Sequence, residues 1–518
     1  MARLHEYQGK YLLQAHKIQI PHGTIASTPE KARAIAEQLD VPVMVKAQAW
    51  ITGRASVGGI RRATTPEEAE MVAAEMLGMK IKDFTVEKVL VEEQMEIEQE
   101  FFASLIVDDR EQAPLIMFSG VGGTGIEEIA AEHPNKVART HVDVSFGFQD
   151  YQARNLVRQT GIGGRLQRQL GSVLMHLYRL AAMHEARSVE INPLVLTTDG
   201  QVTAADCRVT IDDYAVFRHP EMNIPIAREY DRPPTKLEKI AYQVEADDYR
   251  GTFYFIQMAD DFEKGEGYIG FHGAGGGGSM MSMDAVLRQG YKVATFVDTS
   301  GNPPASKVYR AAKIVMAVGP IDGYFGSGSG VASQEQFHSA RGLVKAFREA
   351  QIDVPVVIRL GGNAEDKAVE ILEAVNDYVP APVEGYKKDD SPDFCAERLD
   401  KLIRSHESRV KSQKTAVEGR RSKVKGPSSE SLYTFETVTK GTVTYDHAIC
   451  VECEMKACVE ACVPQILDLS DEGVPVLNIS RETAKKGGCI ECLACEVDCF
   501  LYGAGGGYIH LPIKGLAD

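Results

Sequence analysis

The order of apolar and polar residues predicts alternating strands and helices over the first 225 residues. Short apolar runs, typical of buried strands, occur in VPVMVKAQ, VEKVLVEEQ and EFFASLIVDD. The segment PEEAEMVAAEML has the pattern of a helix. The alternation predicts an α/β domain over residues 1–225.

A second α/β block, residues 240–402, follows a proline-rich joint at Arg228–Lys236. In this block YIGFHGAGGGGSMMSMDAVL and VVIRLGGNAEDKAVEIL each have the order strand, glycine loop, helix. Repeated units of this kind predict a doubly wound parallel sheet.

The composition changes after Leu402. The stretch Ser405–Gly426 carries seven lysines or arginines against two glutamates and almost no large apolar residues. This composition predicts a flexible basic linker over residues 403–431, although a basic run could instead dock an acidic partner. The remaining residues, 432–518, form a small cysteine-rich unit.

Composition and charge limit the classes of function. The chain has 518 residues, 44% of them hydrophobic, which is enough for two or three separate cores. The net charge of −16 argues against nucleic acid as the main partner, because proteins that bind phosphate backbones carry a basic face. The sequence has neither a signal peptide nor a run of about eighteen apolar residues, so we expect a cytoplasmic protein without a membrane partner.

Eight of the ten cysteines lie in two sets near the end of the chain. The first set has the spacing C-x2-C-x4-C-x3-C and the second C-x2-C-x2-C-x3-C. In two-cluster ferredoxins, the fourth cysteine of each run ligates the other cluster. The spacing therefore predicts two [4Fe-4S] clusters, the first held by Cys450, Cys453, Cys458 and Cys499, and the second by Cys489, Cys492, Cys495 and Cys462.

A pair of structural zinc sites is the alternative, because zinc sites also use C-x2-C pairs. The complete C-x3-C tail in both sets favours iron–sulfur clusters. The first set departs from the common bacterial form in having four residues before its third cysteine. Cys207 and Cys395 have no motif partner, and we interpret them as ordinary thiols.

Five motifs recur in a fixed order over most of residues 1–380. They are LHEYQGK at Leu4, VMVKAQ around Lys46, GRASVGG at Gly53, VEINPLV at Val189 and VVIRLGGN at Val356. With these motifs the chain resembles the β subunit of succinyl-CoA synthetase and the related ATP-citrate lyase and citryl-CoA synthetase subunits. The resemblance implies an ATP-grasp domain followed by a flavodoxin-like CoA-ligase domain. We therefore expect an α/β protein that ends in a small α+β ferredoxin-like iron–sulfur domain.

The first block contains candidate nucleotide-binding residues. Lys46 stands at the end of an apolar strand, where one positive charge can meet a phosphate. Gly53 precedes Arg54 in a loop whose backbone can approach phosphates. The resemblance implies that Lys46 and Arg54 are catalytic and that Glu92 and Glu100 border the nucleotide. A plain surface charge is the alternative for Glu100.

A candidate magnesium site lies on a predicted hairpin. SVEINPLVL and QVTAADCRV flank the turn TDG, and a three-residue loop ending in Gly200 is a standard hairpin connection. That register pairs Asn192 with Asp206. A carboxamide and a carboxylate on one side are hard oxygen ligands of the kind that Mg²⁺ accepts beside nucleotide phosphates, and the resemblance implies the same pair.

The second block contains a candidate loop for the acyl substrate or phosphate. GSGSGVASQEQF runs from Gly326 into a predicted helix with a capping-box pattern at Ser333 and Gln336, and helix N-termini attract anions. The resemblance assigns this loop, with Gly326, Ser327 and Gly328, to the phosphohistidine and the carboxylate of the acid. His272 stands where succinyl-CoA synthetases have asparagine. A phosphoryl-accepting role for His272 is disfavoured, because FHGAG does not match the accepting motif.

The resemblance implies the nucleotide-binding subunit of an ADP-forming acyl-CoA synthetase that uses ATP or GTP, Mg²⁺ and a small carboxylic acid. The implied partner is an α-type subunit that carries the phosphohistidine and binds CoA, so we expect a hetero-oligomer. The iron–sulfur clusters suggest electron transfer with a ferredoxin-linked oxidoreductase, from a unit that moves on its tether. The alternatives are an electron-transfer subunit with a scaffold-only ligase half, and clusters that are structural or oxygen-sensing.

Overall fold

The computed structural model describes residues 2–51, 53–123, 134–228, 232–328, 330, 332–412 and 431–516. The chain forms two compact units, Met1–Pro233 and Pro234–Asp518. Both units contain helices and sheets, so the predicted α/β class is confirmed.

The first unit has five helices among its described residues: α1 (Glu6–Ala15), α2 (Pro29–Leu39), α3 (Pro66–Met76), α4 (Asp150–Gln159) and α5 (Gly164–Met183). Its strands are β1 (Ala2–Arg3), β2 (Gly23–Ala26), β3 (Val43–Ala47), β4 (Ile60–Ala63), β5 (Lys80–Ile81), β6 (Phe84–Thr85), β7 (Val89–Glu93), β8 (Ile97–Asp108), β9 (Ala113–Ser119), β10 (Val137–His141), β11 (Ala186–Thr197), β12 (Val202–Ala204) and β13 (Cys207–Ile211).

Two antiparallel sheets organise the first unit. The larger has the order β1-β13-β11-β8-β9-β10, with β12 paired to β11, and the smaller has the order β2-β7-β3-β4. Helices α2 and α3 cover the smaller sheet with alanines, valines and isoleucines that form one core. Each begins with a threonine that accepts a backbone N–H bond, Thr28 or Thr65, followed by a proline, which are strong helix-start signals.

The second unit begins with a doubly wound sheet. Its helices are α6 (Lys236–Asp247), α7 (Gly276–Arg288), α8 (Ala305–Met316), α9 (Phe337–Ala350), α10 (Glu365–Glu373) and α11 (Pro392–Ser412). Its strands are β14 (Tyr254–Gln257), β15 (Tyr268–Ala274), β16 (Lys292–Asp298), β17 (Gly323–Gly328), β18 (Val356–Arg359) and β19 (Val383–Tyr386). The order is β14-β16-β15-β17-β18-β19, parallel except for the edge strand β14, and separate apolar clusters cover its two faces.

The cysteine-rich part of the second unit is small and irregular. It contains the one-turn helices α12 (His447–Cys450), α13 (Ala457–Glu460) and α14 (Arg481–Thr483), then α15 (Ala494–Tyr502). Strands β20 (Leu432–Glu436), β21 (Thr442–Asp446) and β24 (Gly507–His510) form one antiparallel sheet, and β22 (Leu467–Leu469) pairs with β23 (Pro475–Leu477). This part shares a continuous apolar core with α8 and α9.

The structure differs from two expectations about the end of the chain. The predicted linker begins too early, because residues 403–412 continue α11, and Ile403 is buried against the sheet. Residues 413–430 lie outside the described part of the chain. The cysteine-rich part is packed against the doubly wound sheet as one unit, whereas a unit moving freely on a tether was expected. None of the helices in the described ranges has the length and apolar composition that a bilayer crossing needs.

Candidate functional sites

A buried group of charged side chains gathers around α1 and β3. Lys46 contacts Glu92 at 2.6 Å and Glu6 at 3.1 Å, and it donates a 2.8 Å hydrogen bond to the carbonyl of Ala205. Lys10 lies between the same two glutamates, 3.0 Å from Glu6 and 2.5 Å from Glu92. All four charged side chains are less than 10% exposed, so these ion pairs are screened little by water.

Arg54 extends this group towards the hairpin. Its Nη2 lies 2.7 Å from Glu6 and 2.8 Å from Asp206, and its Nη1 donates to the carbonyl of Ala47 at 2.9 Å. Gly53 precedes Arg54 with a φ of +72°, a conformation that favours glycine. The loop therefore directs a guanidinium at the carboxylate of Asp206.

Six ionisable groups can be buried together here because their charges balance. Three cations, Lys10, Lys46 and Arg54, face three carboxylates, Glu6, Glu92 and Asp206. Burial opposes ionisation of Glu6, but the three cations hold its pKa well below the ordinary value. Burial and the nearby Glu6 raise the pKa of Asp206, and Arg54 and Lys46 oppose that rise.

The predicted hairpin places Asn192 opposite Asp206. The backbone N–H of Asn192 donates to the carbonyl of Asp206 at 3.2 Å, and Gly200 has a φ of +80° in the turn. The ladder between β11 and its neighbours is interrupted here, because β12 ends at Ala204 and β13 begins at Cys207. The interruption leaves the Asp206 side chain beside Arg54, and the Asn192 side chain accepts a bond from the backbone of Gly123.

Glu100 lies near the same hairpin, on β8. A Cβ on Gly123 would overlap the Glu100 carboxylate, and the N–H of Gly123 donates to Asn192 Oδ1 at 3.2 Å. The φ of Gly123 is +89°, so this close approach of backbone to carboxylate requires glycine. Glu100 and Asn192 therefore contact a common loop residue.

Two members of the charged group, Glu6 and Lys10, were not predicted as site residues. They belong to LHEYQGK and stand four residues apart on α1, the spacing of an intrahelical ion pair. That spacing is the only sign in the sequence that the two residues form an ion pair. Ordinary surface ion pairs have the same spacing, so only the burial of Glu6 and Lys10 distinguishes this pair from them.

The residues predicted to form a loop for the acyl substrate lie in a strand instead, so the predicted loop is wrong at these positions. Gly326, Ser327 and Gly328 form the end of β17, and all three are buried. The following helix begins at Phe337, with Gln336 before it, so the predicted Ser333 capping box is also wrong. The cause is the parallel pairing of β17 with β15 and β18, which extends to Gly328 and Arg359.

His272 stands next to these residues on β15, paired with Gly326. Its Nδ1 is 2.7 Å from the hydroxyl of Tyr324, and burial lowers its pKa to about 4. Ser327 Oγ is 2.7 Å from Ser282 Oγ of α7, and the carbonyl of Gly328 accepts a 3.0 Å bond from Arg359. At neutral pH His272 is therefore an uncharged, hydrogen-bonded side chain inside the sheet.

The second predicted set of cluster ligands surrounds one cavity. Cys462, Cys489, Cys492 and Cys495 line it, together with apolar side chains that include Phe435, Ile466 and Leu467. Cys462 is far from the other three in sequence, yet it shares their cavity. This is the crossed arrangement that the spacing predicted.

The first set is also crossed. Cys499 lies against Cys458, whose hydrogen bond is the main reason that the pKa of Cys499 falls to about 6. The glycines after Cys499 pass close to the other sulfurs, since a Cβ on Gly506 would lie 3.0 Å from Cys450 Sγ and one on Gly503 3.5 Å from Cys453 Sγ. Among the described residues, which include all eight cysteines, no three cysteine sulfurs lie within 4.8 Å of one another.

Three buried acidic residues lie between these cysteines in the sequence, and each forms an ion pair with a residue of the doubly wound sheet region. Glu491 is 3.0 Å from Arg250. Glu496 and Asp498 of α15 are each 2.7 Å from a cation of α9, as Lys345 contacts Glu496 and Arg341 contacts Asp498. The cysteine-rich part is thus held by buried ion pairs at the positions that flank its candidate ligands.

Known proteins resemble the larger part of the chain. The ATP-grasp domain family matches residues 3–196. The chain is 38% identical over 386 residues to the β subunit of a GDP-forming succinate–CoA ligase from Thermus thermophilus, covering 74% of this chain and 97% of the relative. It is 36% identical over 372 residues to β subunit 2 of an ADP-forming succinate–CoA ligase from Archaeoglobus fulgidus, covering 72% and 92%.

The fold has a solved counterpart. The structure of ATP citrate lyase from Methanothrix soehngenii, in complex with citrate and coenzyme A, superposes with a TM-score of 0.65 at 19% identity, and the match covers 77% of this chain and 99% of that chain. This likeness shows the fold, an ATP-grasp architecture within a mixed α/β protein. The extent of the sequence identity shows more: the chain belongs to the succinate–CoA ligase β-subunit family, whose members are subunits of acid–thiol ligases.

Proposed function

We propose that the chain is the nucleotide-binding subunit of a carboxylate–CoA ligase that forms a nucleoside diphosphate. In this proposal, phosphate passes from ATP or GTP to a histidine of an α-type partner and then to a carboxylic acid. The CoA thiol then displaces the phosphate. The observation that carries the proposal is the meeting of Lys46 and Arg54 with Asp206, opposite Asn192 on the hairpin.

The charges of this group suit a triphosphate. Lys46 and Arg54 would neutralise charge on the transferred phosphate, which requires each to exchange part of its present contact with Glu6, Glu92 or Asp206 for the phosphate. Asp206 and Asn192 offer the oxygen donors that Mg²⁺ prefers, and the Asp206 side chain is 27% exposed, which leaves it accessible to an ion. A bound Mg²⁺ would supply further charge neutralisation at the phosphates. Glu92 and Glu100 border the proposed nucleotide site.

A partner subunit is part of the proposal, because His272 does not suit the phosphoryl-accepting role. The ring is buried in β15 with one nitrogen bonded to Tyr324. Gly326, Ser327, Gly328 and His272 instead form the adjacent ends of two parallel strands, the edge where doubly wound sheets bind ligands. We assign to these ends the carboxylate of a small acid and the phosphate in transit.

Reconstitution with the α subunit tests this proposal. The chain alone should form no acyl-CoA, whereas the pair should form it from acid, CoA and ATP or GTP with Mg²⁺. Lys46→Ala should abolish this activity in the pair, and His272→Asn should retain it. Activity of the chain alone that is lost in the His272 variant would refute the division of labour between the subunits.

We propose a second function, electron transfer by two [4Fe-4S] clusters, from the arrangement of the cysteines. Cys450, Cys453, Cys458 and Cys499 would hold one cluster, and Cys489, Cys492, Cys495 and Cys462 the other. The crossed pairing supports this assignment.

Thioester formation transfers no electrons, so the proposed clusters serve another reaction. A ferredoxin-linked oxidoreductase that makes or consumes the acyl-CoA is the partner that fits this chemistry. Because the cysteine-rich part is docked by buried ion pairs, the oxidoreductase would approach a fixed surface. The test is anaerobic reduction of the full chain by candidate 2-oxoacid or aldehyde oxidoreductases. Cluster loss that abolishes ligation, with no electron exchange, would favour a structural role.

A further inference from the structure

Five side chains with metal-binding or hydrogen-bonding groups meet in the first unit, away from the charged group of Lys46. His16 and His184 directly follow helices α1 and α5, and Glu185 is the next residue after His184. His219 lies between two short 3-10 turns after β13, and Glu221 lies in the second of them. Three separate parts of the chain therefore bring histidine and carboxylate side chains to one place.

Hydrogen bonds to His16 and Glu185 determine which ring nitrogens of His184 and His219 are available to bind a metal ion. The Nε2 atoms of His184 and His16 are 3.0 Å apart, so they share one proton and one lone pair. His219 Nε2 is 3.1 Å from Glu185, and because an ionised carboxylate only accepts, this nitrogen carries the proton. Arg218 pairs with Glu185 at 2.6 Å and keeps it ionised. When Nδ1 carries no proton, its lone pair faces Glu221 and can bind a cation.

Two inner nitrogen atoms, His219 Nδ1 and His184 Nδ1, could bind a metal ion. His219 Nδ1 is 3.3 Å from Glu221 Oε1, so either a proton on the ring or a metal ion lies between these two atoms. His184 Nδ1 is buried and has no hydrogen-bond partner among the described residues. Leaving a buried nitrogen without a hydrogen-bond partner is costly. A metal ion would satisfy His184 Nδ1 and the contact between His219 and Glu221 together, whereas a proton on His219 satisfies only the second.

We propose that His184, His219 and Glu221 bind one divalent transition-metal ion of the zinc class. One potential ligand atom from each residue lies within 4.8 Å of the others. Two histidines and a glutamate are a known zinc donor set, and histidines that bind zinc commonly direct their other ring nitrogen to an outer acceptor. Here Glu185 and His16 take that outer role.

The proposed ion would fasten the end of α5 to the segment that follows β13. Glu221 has a side chain that is 60% exposed, so solvent reaches the site and an ion can enter. The role suggested by this position is to stabilise the first unit, since no residue of the charged group around Lys46 takes part.

Zinc binding by the full chain, isolated without oxygen so that its cysteines keep any clusters, tests the proposal. Equilibrium dialysis against Zn²⁺ with elemental analysis should give one zinc ion per chain. His219→Gln and Glu221→Gln should each weaken binding at least tenfold, and Glu185→Gln should weaken it by about 10–100-fold as an outer-ligand change. Glu221 is exposed, so its variant leaves folding unaffected.

X-ray absorption at the zinc edge separates this site from the cysteines. We expect only nitrogen and oxygen neighbours at about 2.0–2.1 Å and no sulfur at about 2.3 Å. The matched control is His141→Gln, a half-exposed histidine of the same unit that is paired with Asp108 and lies outside the site. It should bind zinc like the parent chain. Zinc–sulfur neighbours, or equal binding by the three site variants and the control, would overturn the proposal.

Discussion

Lys345 of α9 and Glu496 of α15 form a buried ion pair in which Nζ lies 2.7 Å from Oε2, with side chains 1% and 2% exposed. The same carboxylate oxygen accepts a 2.9 Å bond from the backbone N–H of Ile509. Glu496 stands next to Cys495, a candidate cluster ligand, and α9 follows the strand that ends in Gly328. This ion pair is one of the buried contacts that hold the candidate cluster region against α9.

Removal of the cation from this pair should destabilise the second unit. Lys345→Met leaves the buried Glu496 with only Arg348, which is 26% exposed, as a cation partner, so the cost should approach that of a broken buried pair, about 3–5 kcal/mol. Hydrogen exchange followed by mass spectrometry should show faster exchange in α9 and α15. The double variant Lys345→Met, Glu496→Leu should recover much of the loss, because no buried charge remains. Lys486→Met is the control, since that lysine is 74% exposed in its pair with Glu482, and equal effects of Lys345→Met and Lys486→Met would contradict the prediction.

Iron contents of double cysteine variants distinguish the crossed assignment from one in which each run of four cysteines holds its own cluster. The parent chain, isolated without oxygen, should contain about eight iron atoms, as two four-iron clusters require. Replacing Cys450 and Cys499 together by serine removes two ligands of one cluster and should leave about four iron atoms. Replacing Cys450 and Cys462 together affects both clusters and should leave almost none. The opposite result for the two double variants would show that each run of four cysteines holds its own cluster.

Asp206 should be required for nucleotide turnover. Asp206→Asn removes a negative oxygen ligand of the proposed Mg²⁺ site, and we expect turnover by the reconstituted pair to fall on the order of a hundredfold or more. Asp199→Asn, in the turn of the same hairpin, is the matched control and should change turnover little, because Asp199 contacts Thr197 and not the charged group. Iron content should stay the same in both variants. Normal turnover by Asp206→Asn would show that the hairpin does not bind the metal.

His272 should make the stability of the second unit depend on pH. Burial lowers its pKa from 6.5 to about 4, so between these values the unfolded chain binds the proton and the folded chain does not. Stability from this group is therefore complete above about pH 6.5 and is lost as the pH falls towards 4. We expect a loss of about 2 kcal/mol between pH 7.5 and pH 5.

Urea unfolding of the parent chain and of His272→Asn at both pH values measures this contribution. Other histidines contribute equally to both proteins, so the difference between the two pH dependences isolates His272. The asparagine variant should have the shallower dependence. Identical dependences would mean that the ring accepts a proton in the folded state.

Local patterns in the sequence determined much of the architecture. The strand and helix alternation predicted the α/β class, because a half-buried strand and an amphipathic helix each carry their own periodicity. The turn at Gly200 predicted that Asn192 faces Asp206, because the length of a hairpin loop sets the pairing of its strands. The cysteine spacing predicted that Cys462 would lie with Cys489, Cys492 and Cys495, because in two-cluster ferredoxins the fourth cysteine of each run belongs to the other group.

Only the tertiary structure decided which distant charges meet. Glu6 and Lys10 look like a surface pair on α1, and they become part of a buried group because β3, β7 and the bend before β13 close around them. Glu491, Glu496 and Asp498 are acids between cysteines in the sequence, and the cations that neutralise them lie far away, at Arg250, Lys345 and Arg341. No local periodicity reports such pairs, because the burial that makes a charge need a partner arises only when separate elements pack together.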